Sequence, residues 1–233
     1  VFLDWPTAIG PSPQRRAYEH ARRRSTAEWL AFFDADEFLV LHKDASIGQF
    51  LQRFDASVSA VVVNWIIFGS GGQERYRPVP VTERFSDALP PGASWNRVVK
   101  SIGRRQALAG TGVHLVDPGQ GAYVMPSGTE VVFDGAMRSQ VADTGIAALH
   151  HYMVKSHEEF QEKLDRGNAN SKFPAGRRSR LGQRFAMLDA GGWQNTDLSA
   201  RSHGMRAEAM RLREILLAQG LSYPVWPFVE AEA

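Results

Sequence analysis

The segment Trp29–Leu39, with the sequence WLAFFDADEFL, constrains this chain more than any other. Five mostly apolar residues lead directly into Asp34, Asp36 and Glu37, and the chain then returns at once to Phe and Leu. This order is typical of a buried strand that ends at a charged edge. A buried carboxylate without compensation costs several kcal/mol or takes up a proton, so we expect a cation beside these three groups.

The spacing of the carboxylates indicates what that cation is. Asp34 and Asp36 are two residues apart, so in an extended chain their side chains point to the same side, whereas Glu37 points away or begins the next turn. Two carboxylates on one side of a strand end suit a hard divalent ion. A turn rich in Asp and Glu that caps a helix is the competing interpretation.

Composition limits the class of protein. The chain has 233 residues, of which 43% are hydrophobic, so it can form one α/β domain with a sizeable core but is short for two large domains. It contains no cysteine, which excludes a disulfide scaffold, a cysteine-based zinc site and a thiol nucleophile. No apolar run approaches the roughly 20 residues that span a bilayer, and the first residues do not resemble a signal peptide. We therefore expect a cytoplasmic protein.

The positive charge is clustered, although the net charge is only +2. The clusters lie at Arg15–Arg24 and from Arg166 to Arg213, and such clustering sets local binding. One interpretation is a set of helices with solvated arginine faces; the other is an anionic partner such as a nucleotide diphosphate, an acidic glycan or lipid headgroups. We expect no nucleic-acid partner, and peripheral membrane contact through the Arg-rich C-terminal segment stays open.

Hydrophobic periodicity predicts alternating helices and strands. A helix is expected from Pro13 to Ser25-Thr26, then the opening strand, a helix at Ile47–Phe54 with its N-cap within Asp44–Ser46, and a strand at Val58–Phe68 covered on both faces. Further strands are predicted at Val79–Phe85, Arg97–Ile102, Gly112–Val116, Ala122–Met125, Glu130–Phe133 and Ala147–Met153. Further helices are predicted at Ser156–Gly167, Leu181–Leu188 and Met205–Gln219, the first opened by a capping box of Ser156 and Glu159.

A glycine-rich loop, Gly69–Gln73, follows the covered strand. Three glycines within four residues allow positive φ angles and a close approach to a ligand. The loop differs from a P-loop, because no Gly-Lys-Ser/Thr follows it and no helix is expected behind it. An ordinary hairpin loop is the alternative.

The acidic segment, the glycine-rich loop and the strand that contains His151, in this order along the chain, resemble the family 2-like glycosyltransferases that include glycosyltransferase family 92 and its bacterial relatives. The matching segments are Gln14, Tyr18 and His20; Trp29–Phe38; Asn64–Gly72; Val99–Ile102; His114; and His151–Lys163 with Arg166-Gly167. A lone Asp-x-Asp is a weak signal, but the ordered set covers about Gln14 to Gly167, which is most of the chain.

The resemblance implies an α/β fold of the GT-A-like (Rossmann-like) type, a mixed sheet flanked by helices with further helices at the C terminus. We expect a single glycosyltransferase-like domain over 1–233, in which 1–68 is the remainder of the donor and metal half, 69–167 the acceptor half and 168–233 a helical, Arg-rich extension. Only 33 residues precede Asp34, whereas a βαβ unit takes about 30 or more. We therefore expect that much of the N-terminal nucleotide-binding half is missing, in which case the chain alone could be inactive.

The resemblance also implies transfer of a sugar from a nucleotide-diphosphate donor to a glycan or another hydroxyl acceptor, usually with Mn²⁺ or Mg²⁺. In this interpretation Asp34, Asp36 and His151 bind the metal, with Asp36 the more direct ligand and Asp34 acting through water or the ribose. An imidazole among carboxylates favours Mn²⁺ over Mg²⁺. His150 points to the opposite face of its strand, and His114 is the competitor for the imidazole role.

The other site candidates rest on less specific signals. Cations suited to the donor phosphates are Lys100, Lys155 and Arg166, and Asp34 also belongs to this cofactor-binding group. Candidates for the substrate pocket are Trp65, Gly69, Ser70, Gly71, Gly72 and Trp95. Candidates for the catalytic base are Glu74 and Asp117. The competing interpretations are a solvated basic face for the cations and burial in the core for the tryptophans.

Two other functions compete with glycosyl transfer. A metal-dependent phosphohydrolase or nuclease needs a second acidic cluster for a second ion, and the sequence has none of comparable density. A non-catalytic module, a degenerate or truncated transferase that binds glycan or nucleotide, is favoured by the short segment before Asp34. Retention of Asp34, Asp36 and the glycine-rich loop argues for the enzyme.

Overall fold

The structure, a computed structural model, describes residues 12–135, 137–166 and 183–220. Within these ranges the helices are α1 Pro13–Arg24, α2 Ile47–Gln52, α3 Val81–Arg84, α4 His157–Arg166, α5 at 183–188 and α6 Ser202–Ala218. The strands are β1 Trp29–Ala31, β2 Glu37–Leu41, β3 Val58–Ile67, β4 Asp87–Ala88, β5 Val99–Arg104, β6 Leu108–Thr111, β7 Val116–Pro118, β8 Ala122–Val124, β9 Ala147–His151 and β10 Trp193–Gln194. The predicted mixed α/β class is confirmed, while the GT-A arrangement and the division into halves stay predictions.

The central sheet is built around β3. Its strand order is β1-β5-β3-β9-β2, and β8 pairs with the first half of β3. β3 pairs antiparallel with β5 along Ala60–Asn64 and parallel with β9 along Trp65–Ile67. β2 pairs antiparallel with β9, so β1 and β2 lie at opposite edges although they are neighbours in the chain.

β3 is buried along its whole length, as its lack of alternation predicts. Alternate residues serve opposite faces of the sheet. Val63 and Trp65 pack into one core together with α2. Ile66 and Phe68 pack into the core on the other face, beside Tyr152. The two faces are therefore separate environments, and each of them carries a histidine from β9.

The helix predictions agree with the structure where it describes them. The capping box at the start of α4 is confirmed: Ser156 Oγ accepts the N–H of Glu159 at 3.3 Å, and Glu159 Oε2 accepts the N–H of Ser156 at 3.2 Å. Of the helix predicted at Leu181–Leu188, residues 183–188 lie inside the described residues, and they form α5. No helix in the described ranges has the length and apolarity that a membrane crossing requires.

Three strand predictions are wrong. Val79–Phe85 contains helix α3 instead, where the buried guanidinium of Arg84 pairs with Glu159 at 2.9 Å. This tertiary pairing outweighs the β-branched composition of the segment. Residues 112–115 form a turn before β7, and Glu130–Phe133 contributes two isolated bridges rather than a strand.

Gly121 allows β8 to lie against β3. Its φ is +91°, and a Cβ there would overlap Ser59 Oγ and lie 2.9 Å from the carbonyl oxygen of Ser57. Gly128 has a similar φ of +87°, but no described atom lies within 4 Å of the position that its Cβ would take. It is therefore a matched control for the backbone effect alone.

We expect Gly128→Ala to lower the free energy of unfolding by about 1–3 kcal/mol through backbone strain. Gly121→Ala should cost about 1–3 kcal/mol more, because its methyl group also forces neighbouring atoms apart. Denaturant unfolding of both variants measures the difference. Equal losses in the two variants would contradict the close fit of β8 to β3.

Candidate active site

One end of the sheet brings the acidic segment together with residues from three strands. β1, β3 and β9 run toward this end, whereas β5 and β2 begin there. Between Ala31 and Glu37 the chain leaves one edge of the sheet and enters the other, so residues 32–36 pass the ends of β5, β3 and β9. Ligand sites of α/β sheets commonly lie at the carboxyl ends of the strands.

Asp34–Glu37 forms a turn rather than an extended strand end. The N–H of Glu37 donates to the carbonyl oxygen of Asp34 at 3.0 Å, and Glu37 Oε2 accepts the N–H of Asp34 at 2.8 Å. The extended-chain expectation, in which Glu37 points away from the aspartates, does not apply because the turn brings its side chain inward. Glu37 is wholly buried and lies among the other charged groups.

Lys100 compensates two of the carboxylates. Its Nζ lies 3.0 Å from Asp34 Oδ2 and 3.3 Å from Glu37 Oε2, and 0% of its side chain is exposed. Gln14 of α1 donates to the other oxygen of Asp34 at 2.9 Å. Burial raises the pKa of Glu37, while the neighbouring His151 and Lys100 oppose the rise. Lys100 therefore supplies part of the positive charge that was expected beside the three carboxylates.

Asp36 lies against the imidazole of His151. Its Oδ1 is 3.6 Å from His151 Nε2, and its Oδ2 is 3.4 Å from the Nζ of Lys163 in α4. Burial alone would raise the pKa of Asp36, but the imidazole and the nearby lysines outweigh burial and hold the pKa below its usual range. Asp36 is therefore an anionic carboxylate beside a ring nitrogen.

Several buried polar atoms at this end of the sheet lack a hydrogen-bond partner among the described residues. They are Glu37 Oε1, His151 Nδ1 and Trp65 Nε1. The indole of Trp65 packs against the His151 ring with the ring centroids 4.3 Å apart. Glu37 Oε1 and His151 Nδ1 face each other at 3.9 Å, beyond hydrogen-bond distance. Because buried polar groups are normally paired, these atoms are available to a ligand, an ion or water.

The donor atoms fit a divalent ion at Asp36 and His151 better than at Asp34. A carboxylate oxygen and an imidazole nitrogen are ligands that Mn²⁺ accepts. Both oxygens of Asp34 are already engaged, one by Lys100 and one by Gln14. Asp34 thus contributes to the turn and to its charge balance.

The two other histidines near β9 and β5 differ from His151. His150 lies on the opposite face, 4.9 Å from the ring of Phe68, which confirms that only one of the paired histidines reaches the acidic turn. His114 packs on Trp65 with centroids 5.4 Å apart, and its Nδ1 lies 3.2 Å from the carbonyl oxygen of Val99. Burial, followed by the charge of Lys100, lowers the pKa of His114.

A comparison with protein families decides what this arrangement belongs to. A family model described as glycosyltransferase family 92 matches residues 18–186, which is well over half of the chain and includes the acidic turn, Lys100 and His151. The chain belongs to glycosyltransferase family 92. The resemblance drawn from the sequence motifs is thereby confirmed. Among curated proteins no match was found.

In this family 92 chain the glycine-rich loop is held by the protein's own side chains. Ser70 donates its N–H and, at 3.1 Å, its hydroxyl to Asp189, and the N–H of Gly69 donates to the carbonyl oxygen of Asp87 at 2.9 Å. A Cβ at Gly69 would lie 2.9 Å from Asp189 Oδ1. Packing against Asp189 therefore accounts for Gly69, and contact of the loop with a substrate stays a prediction.

The remaining candidates make other contacts. Glu74 is 81% exposed and pairs with His157 at 3.7 Å. Asp117 lies in the β6–β7 hairpin opposite Gly110. The ring of Trp95 lies 5.5 Å from the guanidinium of Arg184. Their roles as base or sugar platform stay predictions.

The candidate phosphate-binding cations differ in their relation to the turn. The charge of Lys155 contributes to the low pKa of Asp36, and Lys155 itself has a φ of +60°. Arg166 is the last residue of α4, and Lys100 is engaged by the turn.

Two residues of this site, Gln14 and Lys163, received no role from the sequence. Gln14 also donates to the hydroxyl of Tyr18, one helical turn later in α1, at 2.7 Å. Lys163 additionally donates to the carbonyl oxygen of Met153 at 3.1 Å. Both residues lie within the motifs that carry the resemblance, so the signal was present although no role was assigned.

Proposed function

We propose that this family 92 chain transfers a sugar from a nucleotide-diphosphate donor to a hydroxyl of a glycan or another acceptor, with Mn²⁺ or Mg²⁺ held by Asp36 and His151. One observation carries the proposal: the Asp36 carboxylate faces the His151 imidazole at 3.6 Å, at the end of the sheet where β3 and β9 terminate. A divalent ion in this position supplies Lewis-acid neutralisation of the leaving diphosphate.

The chain's own residues prepare the site for that chemistry. Glu37 fixes the turn by accepting the N–H of Asp34, and Lys100 balances the charge of both carboxylates. Lys163, beside Asp36, adds positive charge where the diphosphate departs, and such charge stabilises the developing anion.

The second candidate function is a non-catalytic module that binds glycan or nucleotide. It is favoured by the ion pairs through which Lys100 and Lys163 already neutralise the acidic turn. A degenerate transferase would keep these pairs for stability alone. The two functions differ in whether a divalent ion takes part in binding.

Thermal unfolding with a panel of nucleotide sugars and glycans tests the proposal. A ligand that binds only the folded protein raises its stability by about 2.7 kcal/mol at 100 times its dissociation constant. We expect nucleotide sugars to raise the unfolding temperature only when Mn²⁺ or Mg²⁺ is present. Stabilisation by a glycan without metal would favour the module, and no shift with any nucleotide sugar and metal would contradict the proposed donor binding.

A further inference from the structure

The opposite face of the sheet carries a second group of metal-ligating side chains. His42 follows β2, His150 lies in β9, and Asp197 lies in the segment after β10. Asp197 Oδ2 is 3.9 Å from His42 Nδ1 and 3.9 Å from His150 Nε2. The three ligand atoms all lie within 4.8 Å of one another.

Strand alternation explains why this group is separate from the acidic turn. His150 and His151 are consecutive in β9, so their side chains point to opposite faces. Val40 packs into the same core as Phe68, against which His150 lies. His42 is two residues beyond Val40 and continues on that face.

His150 is buried without a hydrogen-bonding partner. None of its side chain is exposed, and neither ring nitrogen has a partner among the residues that the structure describes. An unpaired buried imidazole costs free energy unless a ligand satisfies it. Its Nε2 faces Asp197, whose carboxylate is partly exposed and gives access from solvent.

We propose that His42, His150 and Asp197 bind a divalent transition-metal ion of the Zn²⁺ type. Two imidazoles and one carboxylate are a ligand set that Zn²⁺ prefers, and a water molecule would complete four-coordination. Bond lengths of about 2.0–2.2 Å place tetrahedral ligand atoms roughly 3.4 Å apart. Two of the observed separations are 3.9 Å and all three are within 4.8 Å, so binding requires side-chain rotations that bring the ligand atoms closer together.

A neighbouring residue orients the carboxylate. Asn195 donates its side-chain N–H to Asp197 Oδ2 at 3.2 Å and accepts the N–H of Asp197 at 3.1 Å. Hydrogen bonds of this kind hold ligating carboxylates in position and tune their affinity. Asp197 is therefore positioned before any metal arrives.

Zinc at this site would link the segment that contains Asp197 and α6 to the central sheet. Two ligands come from β9 and the end of β2, and the third precedes α6. Leu198 and Met205 of that segment already pack against the same core. Because an ion that binds only the folded state stabilises it, Zn²⁺ should raise the unfolding temperature.

The test measures Zn²⁺ affinity by competition with a chromophoric chelator, in an Asp36→Asn background that disables the acidic turn on the other face. We expect one Zn²⁺ per chain. His42→Ala and Asp197→Asn should each weaken binding at least about tenfold, since even residues behind the ligands are worth about that much. His157→Ala, which removes an exposed imidazole, is the matched control and should leave the affinity unchanged.

Two further measurements make the result independent of variant folding. In EDTA, the Asp36→Asn parent and its His42→Ala and His157→Ala derivatives should have similar unfolding temperatures. Added Zn²⁺ should raise the unfolding temperature of the parent and of the His157→Ala derivative only. Co²⁺ added to the unaltered chain should give visible absorption that Zn²⁺ displaces. Equal Zn²⁺ affinity in the parent, His42→Ala and Asp197→Asn, or no displaceable Co²⁺ absorption, would overturn the proposal and leave the acidic-turn site untouched.

Discussion

Replacing Lys100 with Met is expected to lower the free energy of unfolding by about 3–5 kcal/mol. Loss of one partner of a buried ion pair leaves the other charge uncompensated. Lys100 has no exposed side-chain surface and contacts both Asp34 and Glu37. Met has nearly the length of Lys, so the loss reports charge rather than a cavity. Denaturant unfolding at neutral pH measures it.

Lys163→Met is the matched control. Lys163 also contacts a carboxylate of the turn, but its side chain is 40% exposed, so we expect a loss of about 0–1 kcal/mol. The loss in free energy of unfolding caused by Lys100→Met should also be smaller in mild acid. Burial raises the folded pKa of Glu37 above its usual value, so this group destabilises the fold increasingly as pH rises. A Lys100→Met loss no larger than that of Lys163→Met would contradict the role of Lys100 as counter-charge.

Asp36→Asn and His151→Ala are each expected to weaken Mn²⁺ binding by about 100-fold or more. The reason is that each removes a proposed direct ligand, whereas groups behind ligands already contribute about 10–100-fold. Calorimetric titration of Mn²⁺ in the presence of a nucleoside diphosphate measures the affinity. Nucleotide-sugar stabilisation that depends on Mn²⁺ should disappear in the same variants.

Asp34→Asn and His114→Gln serve as comparisons. Both oxygens of Asp34 are engaged by neighbouring side chains, so its replacement should reduce Mn²⁺ affinity less than that of Asp36. His114 lies beyond Trp65 and should matter little for the ion. A larger loss for His114→Gln than for His151→Ala would assign the imidazole ligand to the competitor.

Local signals made parts of the fold predictable. β3 could be predicted because its uniform apolar run matches a strand buried on both faces. The start of α4 could be predicted because Ser156 and Glu159 have the spacing of a capping box. Helix α3 could not, since the burial of Arg84 depends on Glu159, which lies far away in the sequence.

The candidate site also contains features that local sequence signals predict and features that depend on the tertiary structure. The clustering of three carboxylates and the opposite orientation of the two histidines in β9 could be predicted from spacing, but the turn that brings Glu37 inward could not. The pairing of Lys100 with Asp34 and Glu37 depends on the chain crossing from β1 to β2 past the end of β5, which is a property of the topology. Asp197 reaches His150 for the same kind of reason, because the segment after β10 returns to the sheet.

Paramagnetic broadening of ring resonances by Mn²⁺, measured by NMR with a nucleoside diphosphate present, tests the proposed metal site at the acidic turn directly. We expect substoichiometric Mn²⁺ to broaden the signals of His151 and of Trp65, whose rings lie 4.3 Å apart, before those of Trp193 in the core on the other face. Binding of Mn²⁺ and nucleotide that leaves the His151 and Trp65 signals sharp would contradict a metal-binding site at the acidic turn.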